Sequence, residues 1–152
     1  MDNFGPDTQC TDAGAPCGFI TNVDAVVQMT NMSWTAPGAW TDADMLQACN
    51  YGHLNGGMTL TEYTAHFSIW VMFASPLILS CDVRDIASKH PECLSMLRNK
   101  DVLAISQDPL AAAGRLVHQV GTTTADITQQ IFARPLQDGG HAVLLFNRAA
   151  SA

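Results

Sequence analysis

The sequence predicts an α/β fold of parallel βα units that gives way, at Gly114, to antiparallel β-structure. Three observations predict it. Short apolar runs and helix-period segments alternate through residues 1–113. Beyond Gly114, two strand-like runs, "QIFARPL" and "HAVLLFN", flank the turn "QDGG". Hydrophobic residues make up 47% of the chain and charged residues 14%, which supplies a sizeable core and too little charge for a disordered polymer.

The elements follow in order. Residues 1–18 carry Gly5, Pro6, Asp12, Gly14, Pro16 and Gly18 and read as turns. "NVDAVVQMTNMS" spaces Val23, Val26 and Val27 for a short helix. "SWTAPGAW" reads as an extended, buried piece ending at Trp40, and residues 41–58, with Gly52, Gly56 and Gly57, read as a loop. Thr59 and Glu62 form a capping-box signature ahead of Tyr63, Phe67, Trp70 or Val71, and Ala74 at helical spacing, so a helix is expected over about 60–74. Pro76 ends it. "LILS" then reads as a strand buried on both faces, with "CDVRDIA" as its polar exit. Pro91 suits the first turn of a helix in "PECLSMLRN", and "DVLAISQDP" is extended or helical.

Composition narrows the function. The net charge is −7, and no Lys/Arg run or stripe is present, which excludes nucleic acid and anionic membrane surfaces as expected partners. The longest apolar run, "FSIWVMFASPLIL", is too short to span a bilayer and contains Pro76. The first residues show no signal-peptide pattern. Cys10 and Cys17 flank a turn-rich loop that can bring them within bridging range, and Asn31 opens an N-glycosylation sequon; both point to an oxidising compartment. Cys49 with His53, and His90 with Cys93, have spacings usable by zinc, but no CxxC pair accompanies them and no metal or cofactor is expected. "DAGAPCG" fails the calcium-loop pattern.

The acids carry the chemistry. In parallel βα units, functional side chains gather where strands end and loops begin. Asp42 and Asp44 follow "PGAW", Asp82 and Asp85 follow "LILS", and Asp7 sits in "FGPDT", which suggests one mouth lined with carboxylates. Paired carboxylates suit glycoside hydrolysis and metal binding equally on spacing alone. Asp82, Arg84 and Asp85 read as a structural ion-pair network, and Phe67 and Trp70 as helix packing.

Three ordered blocks, "APGAWTDADML", "HFSIWVMFASPLILSCDVRDI" and "LRNKDVLAISQDPL", resemble the C-terminal part of the family 27 glycoside hydrolases, which comprise α-galactosidases and α-N-acetylgalactosaminidases. The resemblance implies a (β/α)8 TIM barrel followed by an antiparallel β-sandwich domain. A whole barrel takes about 250 residues, so residues 1–113 are expected to be its last βα units and residues 114–152 the start of the β-domain. The implied activity is retaining hydrolysis of terminal α-galactosides by two aspartates. The family's nucleophile lies in a K-x-D motif, and this sequence contains none; the isolated chain is therefore expected to be inactive and, with barrel edges unpaired, to self-associate. The resemblance places the general acid/base at Asp7, 33 residues before Trp40, although Asn3 stands where the family has arginine. It places Asp44 on the sugar hydroxyls, Met45 at the pocket wall and Asp42 in the brace of the loop; Trp40 reads as either a packing residue or a sugar platform, and is counted with the substrate-binding candidates. Thr41 and Ala43 replace the family's Asn and Pro. The parent protein is expected to be secreted, lysosomal or vacuolar, with a terminal α-galactoside as its carbohydrate partner.

Overall fold

The computed structural model describes residues 18–30, 35–51 and 57–149. Among these residues five helices precede three strands: α1 Phe19–Thr30, α2 Leu60–Met72, α3 Ile86–Lys89, α4 Pro91–Leu97, α5 Lys100–Ser106, β1 Arg115–Val120, β2 Gln129–Pro135 and β3 His141–Asn147.

α2 is the central helix. Its capping box is complete: the Thr59 hydroxyl accepts from the Glu62 N–H, and the Glu62 carboxylate accepts from the Thr59 N–H. Tyr63, His66, Phe67, Ile69, Trp70, Val71 and Met72 are all buried. The helix stops two residues short of the expected end because Ala74 adopts φ 56°. The Ser75 N–H then reaches the Trp70 carbonyl and the Ala74 N–H the Val71 carbonyl, the paired bonds of a Schellman ending. Glycine usually occupies that left-handed position; an alanine there is strained. α1 packs Phe19 on Trp70, with ring centroids 5.7 Å apart.

The antiparallel sheet runs β1-β2-β3, and the hairpin across "QDGG" forms as expected. Its inner face, Phe132 and Phe146, belongs to the same hydrophobic cluster as α1 and α2. Arg134, 1% exposed, donates to the carbonyls of Val71 and Ser106, the last turns of α2 and α5. Gly114 makes the junction possible. Its N–H bonds the Met72 carbonyl at 2.6 Å, and a Cβ at this position would stand 2.7 Å from that oxygen.

Two expectations are corrected and a third is resolved. The described part of "SWTAPGAW", residues 35–40, is not a buried extended piece: Ala36 and Ala39 pair across a Pro37–Gly38 turn with Gly38 at φ 87°, and Trp40 is 53% exposed. "LILS" is not buried on both faces, since Leu77 and Leu79 face the core while Ile78 is 59% exposed. It pairs with its neighbour only at one parallel bridge, Leu46 to Leu79. One face packs on the helices, and no described residue covers the other. The described residues therefore show no barrel sheet beyond that bridge. Finally, "DVLAISQDP" resolves to helix, because the Asn99 side chain accepts from the N–H groups of Asp101 and Val102 and caps α5.

Candidate functional site

The loop from Asp42 to Met45 is built almost entirely by side chains. The Ala43 N–H donates to the Ser75 hydroxyl at 2.9 Å, and the Ala43 carbonyl accepts from Asn22 Nδ2 at 3.2 Å. The Asp44 N–H donates to Asp42 Oδ1 at 2.8 Å, and the Asp44 carbonyl accepts from Trp70 Nε1 at 2.9 Å. Two residues on, the chain is fixed at Leu46, whose N–H bonds the Ile78 carbonyl and whose carbonyl accepts from the Ser80 N–H. Asp44 itself sits at φ 78°, a conformation uncommon outside glycine. Its Oδ1 accepts from the Met45 N–H at 2.6 Å, and Oδ2 takes no hydrogen bond among the described residues.

The acids do not share one mouth. Asp42 and Asp44 line a groove of about 210 Å³ with Asn22, Val26 and Met29 of α1. Asp82 and Asp85 line a different cleft of about 400 Å³ with Cys49, Tyr51 and His90. Trp40 faces a third, of about 490 Å³, beside Ala74, Pro76 and Leu77. The cause is the parallel pairing. Asp44 lies two residues before its bridge residue Leu46, and Asp82 three after Leu79, so the pairs leave from opposite ends. Met45, 40% exposed, is next to Asp44 in the loop. Asp7, Cys10, Cys17, Asn31 and His53 lie outside the described residues.

The expected network at Asp82 is two separate exposed pairs. Arg84 grips Asp82 through its guanidinium and its own N–H, which holds the Asp82 carboxyl below the usual carboxylate range. Asp85 pairs instead with Lys89, one helical turn on, at 2.7 Å. Cys49 and Cys93, weighed above with separate histidines, are joined to each other in a disulfide, so neither thiolate can serve a metal. Among the described residues no cluster of three or more His, Cys, Asp or Glu could hold a metal ion.

Sequence reasoning assigned His66 no role. It is fully buried between Phe19 and Trp70, with ring centroids at 4.7 and 4.1 Å, and neither ring nitrogen has a hydrogen-bond partner. Burial alone pushes its pKa down to about 3. The titratable groups on the packed elements are engaged elsewhere or distant in the chain: Asp24 of α1 binds Arg148, and Glu62 of α2 closes its cap. The sign follows directly. An unfolded histidine protonates below about pH 6.5 and the folded one does not, so stability falls as pH drops from 6.5 toward 3. At pH 4 the loss from this residue is about 3 kcal/mol. His66→Phe is expected to flatten that acid limb in urea unfolding measured between pH 7 and pH 4; an unchanged slope would show that the ring is hydrated.

With this geometry in view, the comparisons are specific. A family model described as alpha galactosidase A matches residues 8–108, which include the Asp42–Met45 loop and all of α2. Alpha-galactosidase 3 of Arabidopsis thaliana is 40% identical over 118 residues, covering 78% of this chain and 24% of the relative. The structure of α-galactosidase I from Mortierella vinacea superposes with a TM-score of 0.77 at 30% identity, over 97% of this chain and 35% of that one. The α-galactosidase from Saccharomyces cerevisiae solved with raffinose gives 0.76 at 26% identity, over 97% and 33%. The match places the chain among the glycoside hydrolases, and it belongs to the α-galactosidase family. It spans about a quarter to a third of the length of these relatives.

Proposed function

We propose that the chain contributes residues 1–113, the last units of a (β/α)8 barrel, and residues 114–152, the start of a β-sandwich domain, to a retaining exo-glycosidase that removes terminal α-D-galactosyl residues. The observation that carries this reading is the family match over residues 8–108. The tethered Asp42–Met45 loop supports the assignment of roles within it. Asp44, exposed and with one carboxylate oxygen unclaimed, receives the sugar hydroxyls, and Met45 beside it gives an apolar wall; Trp40, which lines a separate cleft, is left out of that contact. Asp42 fixes the Asp44 N–H. Asp7 supplies the general acid/base, while the nucleophile comes from a K-x-D segment that these 152 residues do not contain. The Cys49–Cys93 bridge favours an oxidising, secreted or vacuolar setting. Among the described residues no helix is long and apolar enough to cross a membrane.

The test is an assay on an aryl α-galactoside. The 152-residue chain is expected to bind galactose in preference to glucose and to release no aryl alcohol. A longer protein that includes the K-x-D segment is expected to turn over. Hydrolysis by the 152 residues alone would overturn the assignment of the nucleophile elsewhere, and equal binding of the two sugars would overturn the assignment of Asp44. The exposed Ile78 edge also leads to an expectation of self-association for the isolated chain, readable by sedimentation.

A further inference from the structure

We infer that Trp70 and Ser75, which the sequence presents only as the end of a packing helix, are positioning residues for the Asp44 carboxylate. The inference rests on the reading of Asp44 as a sugar contact. All four peptide groups of Ala43 and Asp44 are taken by side chains, and none by a helix or sheet ladder. Three of those side chains, Asn22, Trp70 and Ser75, are at least nine-tenths buried and come from α1, α2 and the turn after α2. A buried polar group is retained at a cost unless its hydrogen bond is made, so these three specify the backbone they grip.

The backbone they specify is unusual. Asp44 at φ 78° would relax to an ordinary extended or helical conformation if released, and either would swing its side chain to a new direction. The hydroxyl of Ser75 is aimed by the Schellman ending of α2, which requires the strained Ala74. The indole of Trp70 is held by Phe19 and His66 on its flanks. Two features that look like packing and helix termination therefore converge on one exposed carboxylate.

The experiment uses the 152-residue chain labelled with nitrogen-15 and carbon-13. Asp44 backbone shifts, Ala43 amide exchange and galactose affinity by titration are followed in wild type, Ser75→Ala, Ser75→Thr, Trp70→Phe and Asp44→Asn. Ser75→Ala and Trp70→Phe are expected to move the Asp44 shifts, speed Ala43 exchange and weaken galactose binding about tenfold, as expected for one lost positioning hydrogen bond. Ser75→Thr, which keeps the hydroxyl, restores all three readouts. Unmoved Asp44 shifts in both Ser75→Ala and Trp70→Phe would overturn the positioning role whatever the sugar does. Shifts that move while galactose affinity holds would also overturn it. Wild-type affinity in Asp44→Asn identifies the separate failure, that of Asp44 as a sugar contact. Trp70→Phe keeps the aromatic packing, and Ser75→Ala removes one oxygen, so the pair stays informative if either variant alone folds poorly.

Discussion

Asp24→Ala is expected to destabilise the chain by about 3–5 kcal/mol, the range for removing one partner of a buried ion pair. The Arg148 side chain is 2% exposed, and its two terminal nitrogens clamp the two oxygens of Asp24 on α1. Gln130 accepts a further bond from Arg148 at 3.2 Å. Taking the carboxylate away leaves a guanidinium in a site with little water and no counter-charge among those contacts. The pair as a whole contributes far less than its loss suggests, because both ions were desolvated to form it. Asp24→Leu combined with Arg148→Met is therefore expected to recover most of the stability. Urea unfolding with an unchanged m-value measures both. A single-variant loss below about 1 kcal/mol would show that water reaches the pair, as at an exposed bridge.

Cutting the Cys49–Cys93 bridge is the second large effect. The two residues are 44 apart in sequence, and closing a loop of that size removes about 4 kcal/mol of freedom from the unfolded chain. It also joins the loop beyond Leu46 to α4, where Cys93 is fully buried. Cys93→Ala should lower stability by roughly that amount, and Cys49→Ala with Cys93→Ala should lower it no further. Reduction of the wild-type chain should match either variant. A reduced chain as stable as the oxidised one would mean that the unfolded state already keeps these segments together.

Local signals in the sequence gave reliable elements. The Thr59–Glu62 box, Pro91 at a helix start and the "QDGG" hairpin each depend on residues within a few positions of one another, and each appears where expected. Failures came where long-range partners decide. "LILS" has the apolarity of a doubly covered strand, but only one of its faces finds cover among the described residues. The tryptophan of "PGAW" lies exposed because the Pro37–Gly38 turn lifts it out. Cysteine spacing could not pair Cys49 with Cys93, since five cysteines allow many connectivities. The grip on Asp44 was illegible for the same reason: Asn22, Trp70 and Ser75 reach it across 21 to 32 residues, and nothing in their own neighbourhoods marks them. Asp7, Cys10, Cys17 and Asn31 lie outside the described residues and keep the standing they had in the sequence.

The last turn of α2 has a consequence for how this chain can vary. Its successive carbonyls are claimed by Ser75, by Ala74 and Arg134 together, and by Gly114. Residues on both sides of the change at Gly114 are thus moored to one point, next to Ser75, which holds the Asp42–Met45 loop. Insertions or deletions among residues 72–76 would drag the β-sheet and the acid loop together, whereas the surface turn between Gly121 and Thr128 is tied only to the sheet itself. Divergent copies of this segment should differ in length at that turn and keep the helix end at constant length, so that the sheet serves as ballast for the acid loop.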